Sequence, residues 1–191
     1  MTILSNVSRE TYEKLEIYKN LLLKWQKVIN LVSRGTLHDV WTEHILDSLQ
    51  IIPFIVGKKV LDVGSGGGFP GMVLAIAGGF SVTCIDSDRR KMIFLSEVAK
   101  ATETKVYLLT ERIENLETDN FDTICARGFS ELSNLLKIVH RFSAAGVFFK
   151  GPRLNEEIEK ACLLFNFQYE IHQNKIKDHG KIVTVKLVKN K

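Results

Sequence analysis

Cysteine is scarce in this sequence: Cys84, Cys125 and Cys162 are an odd number, and no two of them form a close pair. That excludes a disulfide framework, a zinc knuckle and a redox dithiol, and it points to a reducing compartment. Only three prolines occur, with no internal repeat and no low-complexity stretch, so no long linker is indicated. No apolar run approaches the roughly 20 residues that span a bilayer. Nor does a basic stretch followed by an apolar one open the chain, so neither membrane insertion nor a secretory signal is expected. What is present is the composition of an ordinary globular protein, 45% hydrophobic and 25% charged over 191 residues. A chain of this length folds without a disulfide or a structural metal, and the expectation is a cytoplasmic protein.

Charge of one sign is also in short supply, at a net +4. Its placement is uneven. From Lys150 to Lys191 there are nine Lys or Arg against five Asp or Glu, whereas Met1 to Phe149 is balanced. A basic surface of this kind holds phosphates or simply keeps the protein dispersed, and charge alone does not choose between them.

Up to Gly57 the pattern is helical. Tyr12, Leu15, Tyr18, Leu22, Trp25 and Ile29 recur at spacings of three and four and share one helix face, with Ser8 as the expected N-cap. A second helix is predicted from about Thr36 to Ile51, ending before Pro53. Residues 1–57 thus read as an N-terminal helical cap whose aromatic stripe serves packing. From residue 58 to 191 short β-branched runs alternate with helical segments. Strands are predicted at Lys59–Val63, Ser81–Ile85, Lys105–Leu109, around Thr123–Cys125, and at Val147–Phe149, and helices at Pro70–Ala77, Arg89–Ala101, Leu132–Phe142 and Glu156–Phe165. Tyr169–His172 and Ile182–Val188 follow one another without a helix between them, which predicts an antiparallel pair. The fold class is α/β: a mostly parallel seven-stranded sheet with helices on both faces, preceded by the cap.

The segment Gly64-Ser65-Gly66-Gly67-Gly68-Phe69-Pro70-Gly71 carries the chemistry, with five glycines in eight residues between a strand and a helix. Glycine is needed where backbone must take positive φ or lie against a ligand, and a helix N-terminus offers free N–H groups to an anion. Gly66, Gly68 and Gly71 satisfy the dinucleotide pattern G-x-G-x-x-G, and Asp86 stands 20 residues after Gly66 at the end of the second strand, placed to accept from both ribose hydroxyls of an adenosine. Nicotinamide-dependent oxidoreductases and S-adenosylmethionine-dependent enzymes share that arrangement. Three features favour the second: Asp62 ahead of the alternating Gly64-x-Gly66-x-Gly68, the C-terminal antiparallel pair, and a chain too short for a separate substrate domain. The reading is therefore a Rossmann-like S-adenosylmethionine-dependent methyltransferase. A dinucleotide-dependent oxidoreductase and a non-catalytic RNA-binding assembly factor are the rivals.

The acceptor is approached by exclusion. Methylation at pyrimidine carbon 5 needs a cysteine nucleophile, but Cys84 and Cys125 fall within strands and no Pro-Cys pair exists. Methylation of an exocyclic amine uses an Asn-Pro-Pro-aromatic turn after the fourth strand, where this chain reads Cys125-Ala126-Arg127-Gly128-Phe129. A donor, Arg127, replaces the acceptors, which suits an atom that already owns a lone pair, such as guanine N7. Arg127 and Lys150 are candidate substrate-positioning groups; the alternative is that they pair with Asp62, Asp86 or Glu114. Arg89, Arg90, Lys150 and Arg153, together with Lys91, fall just beyond the carboxyl ends of strands, where open α/β sheets bind ligands, and are candidate RNA-binding residues. No metal is invoked.

These residues resemble the glucose-inhibited division protein B family, the bacterial 16S ribosomal RNA guanine-N7 methyltransferases. The resemblance spans nearly the whole chain. It rests on Trp25-Gln26-Lys27-Val28-Ile29-Asn30-Leu31, on His44-Ile45-Leu46-Asp47-Ser48-Leu49, and on the glycine turn ending in Pro70-Gly71. Asp86-Ser87, Phe94-Leu95, Arg112-Ile113-Glu114, Arg127 and Lys150-Gly151 extend it. The resemblance implies that Gly64 and Phe69 contact S-adenosylmethionine, that Ile113 and Glu114 flank its adenine, and that Arg127 lies at the cofactor pocket. It also implies a 16S RNA or 30S subunit substrate and modification at position 527. His44, Asp47 and Ser48 gain weight only from the family; on one helix they also read as a local hydrogen-bonded cap. Two departures stand out: Gln26 replaces the family's Asn, and Gly128 replaces Ala after Arg127.

Overall fold

The computed structural model describes residues 7–117 and 120–191; the first six residues of the predicted cap lie outside that range. Seven strands form one sheet: β1 (Lys59–Val63), β2 (Ser81–Ile85), β3 (Tyr107–Leu109), β4 (Thr123–Arg127), β5 (Ala145–Lys150), β6 (Phe165–Gln173) and β7 (Lys181–Asn190). Their spatial order is β3-β2-β1-β4-β5-β7-β6. The first five strands are parallel; β7 runs antiparallel to both β5 and β6. Strand order reverses between β1 and β4, and the crevice outside their carboxyl ends is where such sheets bind ligands.

The parallel strands are apolar on both faces because helices cover both. On one side lie α1 (Arg9–Trp25), the rest of the N-terminal segment, α3 (Gly71–Ala77) and α4 (Arg89–Ala101), packed on Val60, Val82, Cys84 and Val147. On the other side α5 (Leu132–Phe142) and α6 (Leu154–Leu164) pack on Leu61, Val63, Ile124 and Phe148. Residues neighbouring in sequence along each strand thus enter opposite cores, as the two-residue period requires.

Ser8 caps α1 as expected, accepting from the Thr11 amide. The helix stops at Trp25, however, before the predicted stripe ends. Gln26 closes the turn: its Oε1 accepts from the Leu31 and Val32 amides at 2.8 and 3.0 Å, and its Nε2 donates to the Val32 carbonyl at 2.9 Å. Ile29 still packs on the core, but from this turn. The regular helix predicted over Thr36–Ile51 is instead a broken one. A 3₁₀ segment (Arg34–Asp39) is followed by a π-helical turn (Trp41–Leu46) and a short α-helical turn, α2 (Asp47–Leu49). Wide turns of this kind recur where side chains must be aimed at a partner. Pro70, expected at the first helical position, occupies the N-cap of α3 instead, after a cis peptide bond.

Candidate active site

A cleft of about 460 Å³ opens at the carboxyl ends of β1, β2 and β4. Gly64, Gly66, Phe69, Asp86, Ile113, Glu114 and Arg127 all line it, so the residues expected to bind the cofactor come together. Leu31, Lys91, Glu111, Arg112 and Phe129 complete much of its wall. Of these, Lys91 belongs to the cationic rim read from sequence, Leu31 and Arg112 lie in the elements that carry the family resemblance, Phe129 closes the turn after the fourth strand, and Glu111 carried no signal separable from ordinary surface.

The glycine turn is held from three directions. Below it, Asp62 is fully buried and accepts from the Gly71 amide at 2.9 Å, which fixes the start of α3. Burial pushes the Asp62 carboxyl up to about 6, against the lowering effect of the Gly71 and Ser65 hydrogen bonds. From the side, Asp86 accepts from the Gly66 amide at 2.9 Å and, through its other oxygen, from the Asp88 amide at 2.8 Å. Each carboxylate oxygen keeps a lone pair for a hydroxyl in the cleft. From above, the Tyr18 hydroxyl donates to the Gly67 carbonyl, and the Tyr18 ring stacks on Phe69 at 5.2 Å. The cap's aromatic stripe therefore packs, as expected, and also clamps the turn.

Gly64 sits at φ +67°, and a Cβ there would come within 2.2 Å of the Phe129 ring, so only glycine lets Phe129 lean over the end of β1. Gly128, at φ +65°, turns the chain so that Phe129 can do this. Glycine rather than alanine at position 128 thus suits the backbone and does not displace Arg127.

Arg127 pairs with none of the carboxylates expected from sequence. It donates to Asp47 Oδ2 at 3.0 Å, to the Glu43 carbonyl at 3.2 Å and to His44 Nδ1, and its guanidinium lies 5.0 Å above the Phe69 ring. All three acceptors come from the broken helix of the cap, whose wide turn presents them together. Arginine only donates. His44 must therefore accept at Nδ1 and carry its proton on Nε2, from which it donates to Thr36 Oγ1 at 2.7 Å; Thr36 passes its own proton to the Ser33 carbonyl at 2.9 Å. Burial first, then the positive charges of Arg127 and Lys177, lower the His44 pKa to about 3, so the ring is neutral at ordinary pH. Asp47 Oδ1 accepts from Gln50 at 2.8 Å and from Asn174 at 2.7 Å. Ser48 donates to the His44 carbonyl at 2.6 Å, which makes it the local cap anticipated for all three residues. His44 and Asp47 do more, since they join the cap to β4 and to the β6–β7 turn.

The remaining candidates separate. Lys150 is buried, ion-paired with Glu157 and donating to the Ser130 carbonyl at 2.9 Å. It holds α6 against β5 and lines an adjoining cavity rather than the cleft, so it is an ion-paired group and not the free cation expected from sequence. Arg90 folds back onto the α4 N-cap Asp88 at 3.0 Å, and its exposed neighbour Arg89 lies outside the cleft wall. Arg153 is exposed and lines an adjoining cavity. Sequence reasoning missed Arg141 altogether: from the end of α5 it donates to the Ile113, Glu114 and Leu116 carbonyls and so shapes the loop expected to flank an adenine. Its signal was only a basic residue in a last helical turn.

None of the three cysteines lines the cleft. Cys84 and Cys125 are fully buried, and burial, with the Asp62 charge beside them, pushes both thiols well above their usual range. No group of His, Cys, Asp and Glu among the described residues has the arrangement of a metal site.

Residues 11–186 match the family described as rRNA small subunit methyltransferase G. Proteins named ribosomal RNA small subunit methyltransferase G from Rickettsia felis and Rickettsia prowazekii are 42% and 40% identical over 183 residues, covering 94% of this chain and 95% of each relative. Among solved structures, magnesium protoporphyrin IX methyltransferase from Synechocystis with bound S-adenosylmethionine is similar at a TM-score of 0.61 and 14% identity, covering 89% of this chain and 97% of that one. The tRNA (uracil-54, C5)-methyltransferase of Pyrococcus abyssi is similar at 0.57 and 17% identity, covering 73% of this chain and 37% of that one. At such identities the structural likeness establishes the fold, a mostly parallel seven-stranded methyltransferase sheet. On the length matched and the identity to its relatives, the chain belongs to the rRNA small subunit methyltransferase G family.

Proposed function

We propose that this protein transfers a methyl group from S-adenosylmethionine to N7 of a guanine in 16S ribosomal RNA of the small subunit, at position 527, acting as a cytoplasmic monomer. The observation that carries the reading is the cleft in which the glycine turn, clamped through the Gly66 amide by Asp86 at 2.9 Å, faces Ile113, Glu114 and Arg127. The donor set fits the cofactor. Asp86 holds the Gly66 amide with one oxygen while keeping lone pairs for ribose hydroxyls, and Ile113 and Glu114 offer an apolar and a polar contact to adenine. Bound S-adenosylmethionine supplies a methyl group made electrophilic by its sulfonium sulfur.

The chain's own residues then have an undemanding task. Guanine N7 has an in-plane lone pair, so no base is required, and alignment with exclusion of water is what accelerates the displacement. Arg127 keeps its place beside Phe69 because the cap holds it there, which supports reading the cap and the sheet domain as one working unit. The buried, protonated thiols of Cys84 and Cys125 leave a covalent cysteine route without a nucleophile.

Radiolabelled transfer from S-adenosylmethionine into unmodified 16S RNA and into 30S subunits, followed by nucleoside analysis, tests the proposal. Label recovered as 7-methylguanosine at one site is expected. Absence of label in both forms, with cofactor binding intact, overturns it.

A further inference from the structure

An in-line displacement brings the acceptor atom to the face of the methyl group away from sulfur, with the reacting atoms about 3 to 3.5 Å apart. The place that receives the acceptor must therefore share a wall with the cofactor cleft. Three further cavities have no lining residue in common with that cleft. A fourth, of about 300 Å³ between the carboxyl ends of β4 and β5, shares Gly128 and Phe129 with it. Phe129 is the partition between the two spaces.

For a large apolar side chain Phe129 is conspicuously open, with 42% of its surface exposed. Its ring rests over Gly64 and is held out by the left-handed Gly128, and it forms no aromatic pair with the described residues. Resting on the reading above, we propose that the cavity beyond Phe129 is the acceptor-base subsite and that the target guanine stacks on the free face of the Phe129 ring. Two arguments support this pairing. A base taken out of its stack is held by aromatic faces as readily as by hydrogen bonds. Methylation at N7 also makes the guanine cationic, and a cation is attracted to an aromatic face more strongly than a neutral ring is, so the contact strengthens as the methyl group arrives. The polar wall opposite is already satisfied internally, because Lys150 is held by Glu157 and Ser130, which leaves Phe129 as the surface with nothing to lose by covering. Exposed Arg153 at the rim is placed for a phosphate next to the base.

Phe129→Leu keeps an apolar group over Gly64 but removes the aromatic face; Phe129→Tyr keeps the face. The test measures S-adenosylmethionine affinity by calorimetry and kcat and KM for methyl transfer to unmodified 30S subunits, for both variants and for the wild type. The leucine variant is expected to lose about tenfold or more in kcat/KM for RNA beyond any loss in cofactor affinity, the order of one lost base–aromatic stack. The tyrosine variant is expected to recover to within about threefold. Wild-type turnover in the leucine variant, equal impairment in both variants, or a cofactor affinity that falls in step with activity would each overturn the inference. A wild-type protein that transfers no label overturns the parent reading instead, and that result is visible before any variant is compared.

Discussion

Replacing Arg127 by methionine isolates the junction between cap and sheet. Asp47 is 1% exposed on its side chain, and Arg127 is the partner that neutralises it at 3.0 Å; Lys177 stands 4.0 Å away. Removing one member of a buried ion pair costs about 3–5 kcal/mol, because the other charge stays buried without its partner. Lys177 moves the expectation to the lower end, about 3 kcal/mol. For a chain of this size each kcal/mol lowers Tm by about 2–4 °C, so the variant is expected to melt about 6–12 °C below wild type. Asp47→Asn in the same chain removes the orphaned charge, and its carbonyl still accepts from Gln50 and Asn174. The double variant is therefore expected to be more stable than the sum of the single losses by about 2 kcal/mol. Urea unfolding of the four proteins closes the cycle. An Arg127→Met midpoint indistinguishable from wild type, or strictly additive losses, would refute the view that this pair ties the cap to β4.

Asp86→Ala is expected to weaken S-adenosylmethionine binding about tenfold or more, through the loss of charge-assisted hydrogen bonds and of the clamp on the Gly66 amide, while RNA retention on filters stays within about twofold; unchanged cofactor affinity would remove Asp86 from the site. The pH dependence of stability carries two opposed contributions. His44, held near 3 when folded but near 6.5 when unfolded, makes the protein less stable as pH falls below 6.5, by about 2 kcal/mol at pH 5. Asp62, raised to about 6 when folded, works the other way between pH 6 and its unfolded value near 3.8, adding about 1 kcal/mol at pH 5. Between pH 7 and pH 5 these two contributions should therefore lower the urea midpoint more steeply for Asp62→Asn than for wild type and raise it for His44→Gln; parallel slopes in all three proteins would contradict both assignments. Serine at Cys84, Cys125 or Cys162 is expected to leave methyl transfer in place, and abolished transfer in a variant with an unchanged unfolding midpoint would restore a covalent route.

Where local pattern and tertiary structure agree, the sequence was readable to the residue. Lys59–Val63, Ser81–Ile85 and Leu132–Phe142 are the observed elements, because buried parallel strands are continuous apolar runs and α5 has a clean apolar stripe. The glycine turn and Asp86 were legible for a similar reason: their chemistry is local, with 20 residues between Gly66 and Asp86 and a direct hydrogen bond in space. The cap's second helix was not. Its irregular turns satisfy Arg127, which is 80 residues from Asp47 in the chain, and no periodicity within Thr36–Ile51 encodes that demand. The pairing of Lys150 was illegible for the converse reason. A cation after a strand end looks free in sequence, yet Glu157 on the following helix neutralises it, and Glu157 looks like any acidic residue of a first helical turn.

The junction places a buried polar network beside the cleft. Asp47, His44, Gln50 and Asn174 are buried, and each has its hydrogen-bonding partners within the protein. Replacing such a network by packed hydrocarbon often gains stability, so stability is a weak reason for keeping it. What hydrocarbon would not supply is direction. The bonds to Glu43, His44 and Asp47 fix the Arg127 guanidinium 5.0 Å from the Phe69 ring, and Phe69 in turn stacks with Tyr18, whose hydroxyl holds the Gly67 carbonyl. The cap thereby sets both the cationic wall of the cleft and the path of the glycine turn through contacts that meet at Phe69. A reaction that depends on alignment rather than on proton transfer gains most from this kind of construction, since a misplacement of about 1 Å costs on the order of a hundredfold in rate.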